Sequence, residues 1–270
     1  MPTKVVNKSS GAAFDEYIGR PSIFGNTYVI GKHGTRDEVI DRHREEFLQR
    51  ILVDEGFRQK VLGLKNRVLQ CYCFPSRCHA ETYIEYLDFA PKFRVAGIGT
   101  RMTELSVEDN IRYSRLLLSI GEYIGKRNWT LSSGNANGSD YWFAKGVSNI
   151  NPSRVMLYLP WEYYNAEQIH PQNRWSNEHK DEWIPVAEKC HPNWARLKDS
   201  VKKMMIRNVG IVSRANVVLA LPSRKTGGTR HGMSAARELG IPVVDLLEGE
   251  QNFEQICAFL DGEYEKFRTK

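Results

Sequence analysis

The strongest constraint on this chain is an alternation that runs from residue 93 to its end. Short apolar runs at 93–98, 129–132, 154–159, 216–221 and 241–246 are separated by helical stripes near 107–126, 139–147, 197–213, 230–239 and 251–267. Runs that are apolar on both faces belong in a parallel sheet with helices above and below. Strict strand–helix alternation predicts an α/β fold with a doubly wound parallel sheet. The helical stripes, such as Ile111, Leu116, Leu117, Ile120, Tyr123 and Ile124, have core spacing and need no special surface role.

Residues 1–90 break this rhythm and are predicted to form a small α+β domain. A charged helix with an apolar stripe (Val39, Ile40, Phe47, Leu48, Ile51, Leu52) spans 36–55, a strand covers 68–73, and a short helix covers 79–88. Ala90-Pro91-Lys92 marks the boundary, so 91–270 form the second domain. Within it, 160–195 is too long for an ordinary connection. It holds four of the six tryptophans, Trp161, Trp175, Trp183 and Trp194, and is predicted to be an aromatic flap over the sheet's carboxyl edge, with Trp161 or Tyr164 near a bound base.

Composition excludes several classes. The 270 residues carry 38 Lys+Arg against 32 Asp+Glu and are 41% hydrophobic, which argues against disorder. No apolar run is long enough to span a membrane, and the opening Met-Pro-Thr-Lys-Val-Val-Asn lacks an apolar secretory stretch. Five cysteines, an odd number, fit a reducing compartment, so a cytoplasmic location is expected. Residues 196–237 contain ten Lys/Arg and one acid, a local +9 that leaves −3 elsewhere on a +6 chain. Such a segment suits an anionic partner, although Lys198, Lys202 and Lys203 read better as a solvated helix face.

Three glycine loops follow predicted strands. They are Gly97-Ile98-Gly99-Thr100-Arg101, then Ser132-Ser133-Gly134-Asn135-Ala136-Asn137-Gly138-Ser139-Asp140, then Thr226-Gly227-Gly228-Thr229. In a parallel sheet all three reach the carboxyl edge, where ligands bind. Glycine admits close backbone approach, and the helix that follows offers unpaired N–H groups to phosphate. Neither the spaced dinucleotide fingerprint nor a P-loop lysine is present.

These loops, with Arg207-Asn208 and Gly227-Gly228-Thr229-Arg230-His231, resemble the SLOG superfamily of Rossmann-like nucleotide-binding proteins, nearest its YspA-like and DprA-like branches. The resemblance implies a nucleotide site at Gly97, Gly99, Thr100, Arg101, Ser133, Gly134, Gly138, Asp140, Arg207, Asn208, Gly227, Gly228, Thr229 and Arg230. The cytokinin-activating phosphoribohydrolases of that superfamily carry a glutamate three residues after the threonine of the last loop, and here Gly232 takes that place. Asp140 is then the candidate catalytic carboxylate. Its simpler role is to complement a helix dipole or to hold a ribose hydroxyl.

The densest chemistry lies in Cys71-Tyr72-Cys73-Phe74-Pro75-Ser76-Arg77-Cys78-His79. Adjacent Cys78 and His79 rarely close one tetrahedron and no second C-x-x-C is present, so no metal site is expected. Cys78 and His79 are instead expected to open a helix at a pocket, where a helix N-terminus lowers a thiol pKa. One of Cys71 and Cys73 reads as a small buried core residue. Val5-Val6-Asn7, Tyr17-Ile18-Gly19-Arg20-Pro21 and Gly25-Asn26, together with the cysteine run, resemble an uncharacterised small-domain family over 5–88. Arg20, Asn26, Arg36, Cys78 and His79 are assigned to a second pocket, with Cys78 and His79 as further candidate catalytic residues.

The expected function is binding of an ADP-ribose-like or nucleoside-monophosphate-like ligand, with processing at its N-glycosidic bond. The alternatives are a DprA-like single-stranded-DNA-binding mediator and a non-catalytic sensor or sponge. The expected partners are a nucleotide-derived small molecule and a second copy of the chain, with no cofactor and no membrane.

Overall fold

Each apolar run of the larger unit becomes a strand. The computed structural model describes residues 1–103, 105–223, 227–248 and 251–270. It divides into Met1–Lys92 with Lys126–Asn128, and Phe93–Gly125 with Trp129–Lys270. Among the described residues no helix is long and apolar enough to cross a membrane.

In the first unit β1 (Lys4–Asn7) and β2 (Glu16–Tyr17) both pair in parallel with β3 (Val68–Cys71), in the order β1-β3-β2. A parallel return needs a crossover, which α1 (Arg36–Val53) and α2 (Glu55–Leu62) supply. Thr35 and Glu38 close a capping box at the start of α1. Its buried face, including Phe47 and Ile51, joins Ile18, Phe57, Leu69 and Tyr83 in one core. A short helix, α3 (Ala80–Ile84), follows the cysteine run and continues into a π-helical turn over Glu85–Phe89.

In the second unit β4 (Arg94–Gly99), β5 (Thr130–Ser133), β6 (Val155–Tyr158), β7 (Arg174–Ser176), β8 (Val217–Leu221) and β9 (Val243–Asp245) form one fully parallel sheet, ordered β7-β6-β5-β4-β8-β9. The chain builds outward from β4 to β7, then returns to the other side of β4. That reversal opens a crevice at the carboxyl ends of β4 and β8. The connecting helices are α4 (Val107–Lys126), α5 (Ser139–Ile150), α6 (Ile184–Lys189), α7 (Asp199–Val212), α8 (Gly228–Glu238) and α9 (Phe253–Arg268). α6, α7 and α8 cover the face carrying Ala96, Ile98, Val218 and Ala220. On the other face Phe143 of α5 lies against Gly97, and Phe93 stacks edge-on with Trp129 and Tyr264.

The 160–195 segment is not a simple flap. It contributes β7 as an edge strand and the short helix α6, and it buries Trp183 and Ala187 in the core beneath α7. The ring of Trp183 fills the space beside Gly210. Periodicity missed β7 because its three residues are too few to show a period. Trp183→Ala should therefore cost about 3–5 kcal/mol of stability, whereas Trp161→Ala, at a 40% exposed position, should change it by less than about 1 kcal/mol. Denaturant unfolding of the two variants checks this.

Candidate functional site

At the switch point the chain leaves β4 through Gly99 and Thr100, and Thr100 N–H donates to the Leu221 carbonyl at 2.7 Å. Across from it, Gly138 takes a left-handed backbone with φ of 89°, and a side chain there would strike the Arg101 backbone. Ser139 then donates its N–H and its hydroxyl to the Thr100 carbonyl, at 3.1 and 2.9 Å. The first two glycine loops are thus stitched to each other.

Behind them lies a buried ion pair. Arg207 of α7 reaches Asp140 of α5, with Nη1 3.6 Å from Oδ2. Gly134 makes room for it, since any Cβ there would sit on the guanidinium. Asp140 also accepts the Ala136 N–H at 3.2 Å. Burial raises the Asp140 carboxyl above its ordinary range, opposed by the charge of Arg207 and by the N–H groups of Ala136, Gly134 and Gly99. Burial likewise lowers Arg207, opposed by Asp140. Among the described residues the fully buried Arg207 Nε has no hydrogen-bond partner, and the guanidinium carbon lies 5.9 Å from the centre of the Tyr164 ring.

The pair opens onto a cavity of about 420 Å³, within the size range of small-molecule pockets. Of the expected nucleotide-site residues, Gly99, Thr100, Arg101, Asp140, Arg207, Asn208, Gly227, Gly228, Thr229 and Arg230 line it. Gly97, Ser133, Gly134 and Gly138 are not among its lining residues. Gly97 packs on Phe143, Ser133 donates to the Gly97 carbonyl, and the other two admit Arg207 and the Arg101 backbone. The space beside these three glycines is taken by the chain's own packing. Among the described residues the nearest atom a Cβ at Gly227 or Gly228 would meet is 3.4 Å away. Thr226 and Arg224 lie outside the described residues.

α8 begins at Gly227, which brings no side-chain cap. Asn208 holds this start in place by donating to the Gly228 carbonyl at 3.0 Å. Gly232 presses on Ile98, so the position of the phosphoribohydrolase glutamate is a helix–sheet contact here. Sequence reading missed Met204 and Met205 as lining residues. The available signal was helical spacing, because Met204, Arg207 and Asn208 are three and four apart and share a face. Of the 160–195 segment, the 164–165 backbone accepts both hydrogen bonds of the Asn135 amide, at 2.8 and 3.0 Å, which sets Tyr164 beside Arg207.

The first unit has its own pocket, of about 340 Å³, lined by residues that include Arg20, Asn26, Arg36, Cys71, Cys73 and His79. Asn26 has a structural duty there: its amide donates to the Val39 carbonyl and its oxygen accepts the Tyr28 N–H. Cys78 is fully buried and does not line the pocket. Its thiol is pushed up rather than down, by its hydrogen bond to Cys71 and by burial. Cys71 is the lowered thiol, at about 4, chiefly through that same bond. His79 is pulled down by burial but raised further by the Cys71 and Cys73 sulfurs, to about 9. Cys78 stands just before α3 as expected, but its thiol faces the Cys71 sulfur at 3.2 Å. β3 ends at Cys71, and residues two apart in a strand share a face, so nothing in the strand sets Cys73 apart from Cys71.

Residues 4–88 match the family model described as a domain of unknown function, DUF4326. Over 78 residues, 29% of this chain, the sequence is 33% identical to an uncharacterised 12.4 kDa protein of the nrdA–td intergenic region of Enterobacteria phage T4, covering 70% of that protein. The chain belongs to this family of unknown function. Two solved structures are similar in fold. One is the protein designated TM1055, at 19% identity and a TM-score of 0.39, covering 58% of this chain and 75% of that one. The other is the DNA processing protein A of Helicobacter pylori, a single-stranded-DNA-binding protein, at 18% identity and 0.45, covering 64% and 82%. Neither specifies a ligand for this chain.

Breaking the buried pair should be expensive and non-additive. Asp140→Ala should destabilise the fold by about 3–5 kcal/mol, because it strands a buried charge. Asp140→Ala combined with Arg207→Met should cost clearly less than the sum of the two single variants. A double-mutant cycle by denaturant unfolding measures this.

Proposed function

We propose that this chain binds a nucleotide or nucleotide-derived molecule through its phosphate in the cavity beside Arg207. The observation that carries the reading is Arg207 itself, a guanidinium buried beside Asp140 that lines the cavity. A second support is the uncapped start of α8, where the N–H groups of Gly228 and Thr229 adjoin the same space. Helix N-termini favour anions through unpaired donors and the helix dipole. Arg101, exposed at the rim, adds a second positive charge. Met204 and Met205 offer an adaptable apolar surface to a base.

The reading is of binding, not cleavage. Asp140 is the one carboxylate among the described lining residues, and Arg207 and backbone donors already hold it. A carboxylate so engaged anchors the guanidinium and is poorly placed to pass a proton to a leaving base. A non-catalytic sensor or sponge of a nucleotide fits this arrangement best.

A thermal-shift panel of nucleoside mono- and diphosphates and ADP-ribose, followed by calorimetry and product analysis, tests it. At least one should raise the melting temperature and remain intact. Arg101→Ala should weaken that ligand by about tenfold or more, as expected for a lost charge-assisted hydrogen bond, with unchanged stability. Failure of every compound to shift melting, or unchanged affinity in Arg101→Ala, would overturn the reading. Release of free base would mark an enzyme. Binding of single-stranded DNA alone, falling steeply with salt, would favour the DNA-binding alternative.

A further inference from the structure

We propose that Cys71, Cys73, Cys78 and His79 of the first unit form a zinc site closed by four protein ligands. Their donor atoms, three Sγ and one imidazole nitrogen, all lie within 4.8 Å of one another. Cys71 and Cys78 Sγ are 3.2 Å apart, and His79 Nδ1 is 3.7 and 3.9 Å from these two sulfurs. With Zn–S near 2.3 Å and Zn–N near 2.0–2.1 Å, tetrahedral donors sit about 3.4–3.8 Å apart. The observed spacings bracket that range, so one ion at the centre needs only small adjustments of the side chains.

The surroundings are those of a ligand set. His79 Nε2 faces the Ile18 carbonyl at 2.9 Å. Donating its proton there leaves Nδ1 as a lone pair aimed at the sulfurs, the orientation an outer hydrogen bond imposes on a ligating imidazole. Backbone donors face two of the sulfurs. Ala80 N–H points to Cys78 Sγ at 3.5 Å, and Cys73 N–H to Cys71 Sγ. Thiolates bound to a metal need such donors, because three of them with one Zn²⁺ and a neutral imidazole leave a net charge of −1 in a buried place. Binding releases to solvent the protons that the thiols and the imidazole still hold, leaving three thiolates and a neutral imidazole on the ion. Three thiolates and an imidazole favour Zn²⁺ over oxygen-seeking Mg²⁺ or Ca²⁺. With four protein ligands no position remains for substrate water, so the metal's role is to hold the end of β3, the following turn and the start of α3 together.

The competing assignments are a Cys71–Cys78 disulfide and a reactive thiolate–imidazole pair. The full chain, purified without added metal or chelator, should contain close to one zinc per molecule by elemental analysis. Metal-free protein reconstituted with Co²⁺ should show the intense d–d bands and sulfur-to-cobalt charge transfer of a tetrahedral thiolate site, displaced stoichiometrically by Zn²⁺. Cys73→Ser, altering the half-exposed ligand, should still fold but bind Co²⁺ at least tenfold more weakly with a changed spectrum. Cys190→Ser, outside the cluster, should leave both unchanged. Zinc-free protein whose apo form takes up neither metal would overturn the proposal. So would a Cys71–Cys78 disulfide persisting under reducing purification, or one cluster cysteine rapidly alkylated in protein as isolated.

Discussion

A guanidinium cannot lie in a protein interior without a counter-charge, and Arg207 is buried at the switch point of the larger sheet. Its pairing with Asp140 joins α7, which packs on one face of the sheet, to the first turn of α5, which packs on the other. The pair can form only because Gly134 lacks a side chain and because Gly138 lets the β5–α5 loop meet the backbone at Arg101. Those contacts in turn set Thr100 against Leu221 and Ser139 against Thr100. The shape of the cavity is therefore a consequence of neutralising one buried charge.

The two units offer different chemistry to different partners. The larger presents hard donors, a guanidinium and helix N–H groups, and these suit phosphate oxygen. The smaller concentrates soft sulfur beside an imidazole whose outer nitrogen is held by a carbonyl. The basic balance of 196–237 also divides by function once folded. Arg207 is interior and Arg230 lines the cavity, while Lys189, just outside this stretch, pairs with Glu238 on the surface.

Much of the fold was legible because burial on both faces leaves a direct trace. The runs that became β4, β5, β6, β8 and β9 are short, apolar and separated by helical stripes. β7 left no such trace, because its three residues, Arg174, Trp175 and Ser176, are not apolar on both faces and sit at a sheet edge. The cavity residues were partly readable, since glycine loops after strands converge by topology alone. Which glycines serve a ligand and which serve the protein was not readable. That depends on what stands opposite each one: Phe143 at Gly97, Arg207 at Gly134, none of the described residues at Gly227.

By itself the sequence determined the alternation of strands and helices, hence a doubly wound parallel sheet with the glycine loops at its carboxyl edge. It also determined that three thiols and an imidazole lie within one short segment. Both follow from local spacing, which periodicity and chain connectivity express directly. Tertiary structure alone decided that Asp140 and Arg207, 67 positions apart in the chain, neutralise each other, and that Trp183 belongs to the core and not to a flap. It decided too that the chain leaves β3 at Cys71 and brings Cys78 and His79 back to it, so that their donor atoms and those of Cys71 and Cys73 lie within 4.8 Å of one another. Long-range charge pairing and the point at which a strand ends depend on neighbours distant in sequence, and no local pattern encodes them.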